Sequence, residues 1–134
     1  MTRYKTAQVL AGVSACGFFV AAGLHTSGYR QVVLQAQRGF SGLAAFVATL
    51  WLTFAAAMAI LGLLVTLVVL GRVTGGRSIL ALAGCFPFVT VVLQLHFLGF
   101  TPPVGIFSIV AALSFGAAVS FPAGSARVGV GAES

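Results

Sequence analysis

Apolar residues fill four long stretches of the chain, and short polar segments separate them. The stretches are 7–27, 43–70, 78–98 and 103–121. None of them contains a charged side chain, and each is close to or above the roughly 20 residues that a helix needs to cross a bilayer. This pattern predicts an all-α protein, an integral membrane four-helix bundle formed by a single domain, 1–134.

The segment 29–40, between the first two stretches, is amphipathic at helical spacing. Its apolar side carries Tyr29, Val32, Val33, Ala36 and Phe40, and its polar side carries Gln31, Gln35 and Arg38. The segment is too short and too polar to cross a membrane. It predicts a short interfacial helix between helices 1 and 2, lying among the lipid headgroups, with an ordinary loop as the alternative.

Prolines and small residues mark the ends and irregularities of these elements. Pro87 interrupts the third stretch, where it removes a backbone hydrogen bond, so we expect it to face the bundle interior or a water-filled cavity. Pro102 and Pro103 open the fourth helix, where proline is tolerated. The segment 122–134 is rich in glycine, alanine and serine and predicts a flexible tail. The first stretch, longer than the roughly 7–15 apolar residues of a signal peptide, is expected to be a retained membrane helix.

Charge is scarce and sits at the ends of the apolar stretches. With 60% hydrophobic and 6% charged residues, the chain lies far below the roughly 25% charged residues of soluble domains. Arg3, Lys5, Arg72, Arg77 and Arg127 fall on one side of the predicted membrane, and Arg30 and Arg38 fall on the other. This bias predicts a multi-pass protein of the cell (plasma or inner) membrane with both termini cytoplasmic. The scattered cations suit lipid headgroups and do not form a nucleic-acid site.

One hexapeptide pattern, Leu-His-x-x-Gly-aromatic, occurs at 24–29 and again at 95–100. It contains the only two histidines of the chain, His25 and His96. The repeat suggests a tandem duplication of one helical hairpin. In that arrangement both patterns end a membrane helix, and both histidines lie at similar depth on the outer side.

Three roles for these histidines follow from their chemistry. Each can cap its helix and bond the terminal carbonyls, as polar residues near helix ends do. They can bind a lipid-like or hydrophobic small molecule in an outward-facing pocket, with Tyr29, Arg30 and Trp51 around its polar head. They can also ligate a haem or a metal ion between the first and third helices, since neutral imidazole is a common metal ligand. Glu133 is the only carboxylate side chain in the sequence, so no carboxylate within the helices could support a metal site.

The fourth helix carries small residues every four positions. These are Ser108, Ala112, Gly116 and Ser120. Such an edge lets another helix approach closely, because packing holds membrane helices together. Gln94 lies on the opposite side of its helix from His96. It is expected to form a hydrogen bond to another helix, with the serine edge as a partner. This edge favours an accessory or assembly subunit that docks on another membrane protein or on itself.

Missing residue types narrow the function further. No ionisable carboxylate or cation lies within the four stretches, which argues against a proton- or sodium-coupled pump. No nucleophile–base pair, phosphate loop or zinc motif occurs, so we expect a non-catalytic role without a cofactor. Cys16 and Cys85 fall within stretches and are expected to be buried small hydrophobes. The hypotheses are therefore an accessory subunit, a small-molecule binder and, third, a haem electron carrier.

Overall fold

The computed structural model describes residues 3–39 and 41–122, and these residues form four α-helices. The helices are α1 (Arg3–Gly39), α2 (Ser41–Val69), α3 (Gly76–Leu98) and α4 (Pro102–Ser120). All four are long and apolar enough to cross a membrane. The predicted all-α, four-helix architecture is confirmed. Phe40 and, apart from Pro122, the predicted tail lie outside the described residues.

Consecutive helices run antiparallel, and α1 packs against both α2 and α4. The α1–α2 pairing is marked at one end by Gly28 against Trp51 and near the middle by Phe18 against Gly62. α3 packs on α4, where Gly84 faces the ring of Phe115. α2 and α3 touch more sparsely and close the ring of four helices.

The first hexapeptide does not end a helix, in contrast to the prediction. α1 continues through it to Gly39, so residues 29–39 are helical but belong to α1 and do not form a separate helix. Gly28 serves close packing here, because a Cβ on it would lie 3.2 Å from the Trp51 indole. The second hexapeptide does end α3: Gly99 has φ 72°, and Thr101 is extended before Pro102. Proline disfavours a helical residue before it, and no proline follows the first copy.

The amphipathic pattern predicted for this last part of α1 is visible in its burial. The half-buried residues are Tyr29, Val32, Val33 and Ala36, and the exposed ones include Gln31, Gln35 and Arg38. The half-buried residues are three or four positions apart or adjacent, so they lie on one side of the helix. The headgroup-plane location of the segment stays a prediction.

The helices differ in length, so α1 extends past α3 and α4 at the end of the bundle that contains an internal cavity. α4 has 19 residues and spans about 28 Å, whereas α1 has 37 residues and spans about 56 Å. His25 of α1 lies at the level of the α3–α4 connection, since it borders the same cavity as Thr101 and Pro103. The part of α1 after His25 therefore projects beyond α3 and α4 by about 20 Å.

Small residues allow α1 and α4 to approach closely. Ser14 and Ser114 are fully buried and share a hydrogen bond of 2.6 Å between their hydroxyl oxygens. A Cβ on Gly17 would lie 2.7 Å from Val110 Cγ2. Close packing and an interhelical hydrogen bond are the forces that hold helices together in lipid.

Gly17→Ala should therefore destabilise the α1–α4 contact by about 1–3 kcal/mol, the usual penalty for overpacking. Gly12→Ala is the matched control, because nothing lies within 4 Å of its added Cβ. That control should be neutral or stabilising by up to about 1 kcal/mol, since alanine favours helix over glycine. Unfolding of both variants in mixed micelles measures the difference. Equal stability of the two variants would contradict the close approach.

Pro87 and the cysteines occupy opposite kinds of environment. Pro87 is fully buried within α3, which confirms that it faces the bundle. Cys16 and Cys85 are exposed free thiols, so the expectation that they are buried was wrong. Within a membrane helix every side is apolar, and residue type alone therefore does not reveal which side faces inward.

Candidate functional site

A cavity of about 360 Å³ lies where α1, α2, α3 and α4 meet beside the α3–α4 connection. It is lined by Ala21, Leu24, His25, Trp51, Gln94, Leu98, Thr101, Pro103, Ile106 and Phe107. Its volume falls within the roughly 300–1,000 Å³ of small-molecule sites, which are typically apolar with a few polar groups. Here the polar side chains come from α1, α2, α3 and the α3–α4 connection.

A second cavity, also of about 360 Å³, lies towards α2. Val47, Leu50 and Phe54 line it together with three residues of the first cavity, His25, Trp51 and Gln94. These three residues therefore border both spaces. We call them the polar trio.

The rings of His25 and Trp51 fix each other in place. They stack with centroids 3.8 Å apart and planes 14° apart. Trp51 Nε1 also donates a hydrogen bond of 2.5 Å to the backbone carbonyl of His25. Phe54 packs against the imidazole at 4.7 Å. Trp51 thus both packs on a neighbouring helix and lines a cavity, and it holds the imidazole in a defined orientation.

Aromatic rings from α2, α3 and α4 pack against one another next to the polar trio. Phe54 contacts Phe86 of α3 at 5.3 Å and Phe107 of α4 at 5.8 Å, centroid to centroid. Phe107 is itself buried. Rings from three helices thus meet here, and such pairs are worth about 0.5–1.5 kcal/mol each beyond their buried area. The site is therefore held by tertiary packing.

Two polar atoms of the trio are buried without a hydrogen-bond partner among the described residues: His25 Nε2 and Gln94 Oε1. Buried polar atoms are nearly always paired, since leaving one unpaired costs about 1–3 kcal/mol. Both atoms belong to side chains that border the cavities. The arrangement suits a ligand with a polar group beside the trio and an apolar body.

The structure pairs His25 with Gln94 and not with His96. Residues 94 and 96 are about 200° apart around a helix, and Gln94 takes the inward position. His96 is exposed, with its ring edge-on to Phe97 at 4.6 Å, and it does not line either cavity. The two hexapeptides lie at a similar level of the bundle, because Gln94 and Leu98 border the same cavity as His25.

Other predicted site residues lie away from the cavities. Tyr29 is half-buried and Arg30 is exposed, both farther along the projecting part of α1. Only His25 of the two histidines faces the internal space, so the residues present do not fit a haem held between His25 and His96. Within 3–39 and 41–122, no three histidine, cysteine or acidic side chains come together as a metal site.

The predicted small edge of α4 packs inside the chain only in part. The buried side of α4 carries Val104, Phe107, Val110, Ala111, Ser114, Ala117 and Ala118. Ser108 and Ala112 are exposed, whereas Gly116 and Ser120 are half-buried. Gln94 faces the cavity, and its Oε1 has no partner on this edge. Ser108 and Ala112 therefore stay available to another molecule, whereas Gly116 packs on Leu10 of α1.

Sequence reasoning missed Thr101 and the apolar lining residues. Thr101 precedes α4 and lines the cavity, and its side chain makes no capping hydrogen bond. In the sequence, a threonine before two prolines gives only a weak signal of a binding site. Leu24, Leu98, Ile106 and Phe107 carry no signal, because leucine, isoleucine and phenylalanine occur on every side of these helices.

Comparison of the chain with family models, with curated proteins and with solved structures gives no match.

Proposed function

We propose that this protein is a multi-pass protein of the cell membrane that binds an amphiphilic small molecule in the cavity beside His25. The unpartnered pair, His25 Nε2 and Gln94 Oε1 in a largely apolar space, is the observation that carries the proposal. An apolar molecule with one polar group complements both features. Four apolar helices long enough to cross a membrane support its setting.

The distribution of cations supports an outward-facing site. Arg3 and Lys5 begin α1, and Arg72 and Arg77 flank the α2–α3 connection at the same end of the bundle. Tyr4 packs on Phe121 there, at 5.9 Å. Cationic ends favour the cytoplasmic side. The cavity lies at the other end, so we propose that it opens towards the outer half of the membrane.

Ligand binding can be measured through Trp51, which is the only tryptophan of the chain and borders both cavities. The protein is placed in phosphatidylcholine nanodiscs and titrated with dodecanol and with dodecanoic acid, each carrying two bromines at mid-chain. Bromine quenches indole emission at short range. We expect saturable quenching by at least one of the two probes, because a site fills, whereas partition into lipid does not saturate.

The matched control moves the reporter to the outer surface. In the double variant W51F/F97W, the tryptophan replaces Phe97, which is 73% exposed. Its quenching should rise in proportion to the probe in the bilayer, without saturation. If Trp51 behaves like this control with both probes, the cavity does not bind amphiphiles.

A docking role for α4 is the second candidate, favoured by the exposure of Ser108 and Ala112. Ala112→Leu should abolish association with a partner or a second copy, since a bulky side chain keeps another helix away. Val119→Leu, at a position that is already 78% exposed and bulky, is the control and should associate normally. Cross-linking in native membranes measures both. An unchanged pattern for Ala112→Leu would remove this role.

A further inference from the structure

We infer that the cavity recognises an uncharged hydroxyl group, so that the ligand is an alcohol-type amphiphile. Ionised fatty acids, ammonium groups and molecules with only carbonyl or ether oxygens should bind poorly. This inference rests on the proposed function and names the polar group that the site selects.

Gln94 requires a hydrogen-bond donor on the ligand. Its Oε1 is the buried, unpartnered atom of the amide, and a carbonyl oxygen only accepts hydrogen bonds. A ketone, ester or ether oxygen would bring a second acceptor against it and leave it unpaired. A hydroxyl group can donate its hydrogen to this oxygen.

His25 accommodates the same hydroxyl group from its own side. A neutral imidazole has one N–H and one unprotonated nitrogen. With its hydrogen on Nε2, His25 donates to the hydroxyl oxygen, which at the same time donates to Gln94 Oε1. Both side chains border both cavities. A hydroxyl group bound between His25 Nε2 and Gln94 Oε1 would pair both atoms.

Charge is excluded by the lining. None of the residues around the two cavities is a lysine, arginine, aspartate or glutamate. Arg30, the cation nearest in sequence to His25, is exposed and lies outside the lining. A carboxylate or an ammonium group would lose its hydration here without a counter-charge, which is strongly unfavourable. The preferred polar group is therefore neutral.

The apolar part of the ligand has an exit towards the lipid. Leu24 and Leu98 line the first cavity and are 54% and 69% exposed, so this side of the cavity is open to the surroundings of the bundle. At about 30 Å³ for each non-hydrogen atom, the volume of a liquid water, 360 Å³ holds about a dozen such atoms. The head and the first part of a chain fit inside, and a longer chain continues outward.

The test compares three probes of equal chain length in phosphatidylcholine nanodiscs, whose lipid has no free hydroxyl. They are dodecanol, its methyl ether and dodecanoic acid at a pH that keeps the acid ionised, each brominated at mid-chain and read through Trp51. We expect half-saturation by the alcohol at a membrane concentration at least about tenfold lower than by the ether or the acid, a difference of about 1.4 kcal/mol.

Gln94→Met tests the assigned atom, because methionine is of similar length but has no hydrogen-bonding carbonyl. The preference for the alcohol over the ether should fall to within about twofold, because the alcohol loses its acceptor and the ether no longer meets a second acceptor. Equal or weaker binding of the alcohol in the unaltered protein would overturn the hydroxyl assignment. Saturation by any probe would still support the proposed function. Saturation by none would reject both.

Discussion

Phe18→Ala should lower the free energy of unfolding by about 3 kcal/mol, the low end of the range for removing a buried phenylalanine ring. Phe18 is fully buried and contacts α2 at Gly62, where the Cβ of Phe18 lies 3.1 Å from a Cβ built on the glycine. In lipid the unfolded helices are already out of water, so the lost stability comes from packing and from the empty space left behind.

Phe19→Ala is the matched control, because the same side chain is removed one residue further along at nearly the same depth. Phe19 is 46% exposed, and the edge of its ring contacts α2 at Gly62. Its removal should therefore cost clearly less than the removal of Phe18, about 1 kcal/mol, the typical value for a single substitution. Reversible unfolding in mixed micelles measures both variants. Equal losses would mean that the burial of α1 is assigned to the wrong side.

His25→Leu should weaken binding of the brominated dodecanol by about tenfold to thirtyfold, equivalent to about 1.4–2 kcal/mol. The substitution removes Nε2, which we assign as one partner of the hydroxyl, and the ring that stacks on Trp51. His96→Leu should leave the half-saturation point within twofold, because His96 is exposed and outside both linings.

The two histidine variants show whether ligand binding depends on His25 in particular or on either histidine of the repeated hexapeptide. Without ligand, His25→Leu should also shift the emission of Trp51, since the imidazole no longer stacks on the indole, whereas His96→Leu should not. His25→Gln, which keeps a polar group at this position, should retain part of the affinity. If His96→Leu weakens binding as much as His25→Leu, the cavity is not the site of binding.

The repeated hexapeptide shows how identical local patterns take different structures. Both copies place a histidine near the same level of the bundle, but only the second ends its helix. The cause lies outside the pattern: prolines follow Gly99, and the Trp51 ring packs on Gly28. The paired histidines expected from the sequence therefore become one histidine and one glutamine at the internal space, with His96 on the outside.

Length and composition alone determined that this protein is an all-α bundle of four helices. Four uncharged apolar stretches fixed the number of helices, and prolines and glycines fixed the ends of α3 and the start of α4, because these are local steric effects. Amphipathic spacing also identified the half-buried side of the last part of α1, where polar residues provide contrast.

Apart from the inward side at Pro87, only the tertiary structure decided which sides of the helices face one another. Where every side is apolar, periodicity carries no information about direction, so the sequence did not show that Cys16 and Cys85 are exposed. The meeting of His25, Trp51 and Gln94 depends on three helices and on close approach at glycines and serines. Such contacts join residues far apart in the chain, and no local pattern encodes them.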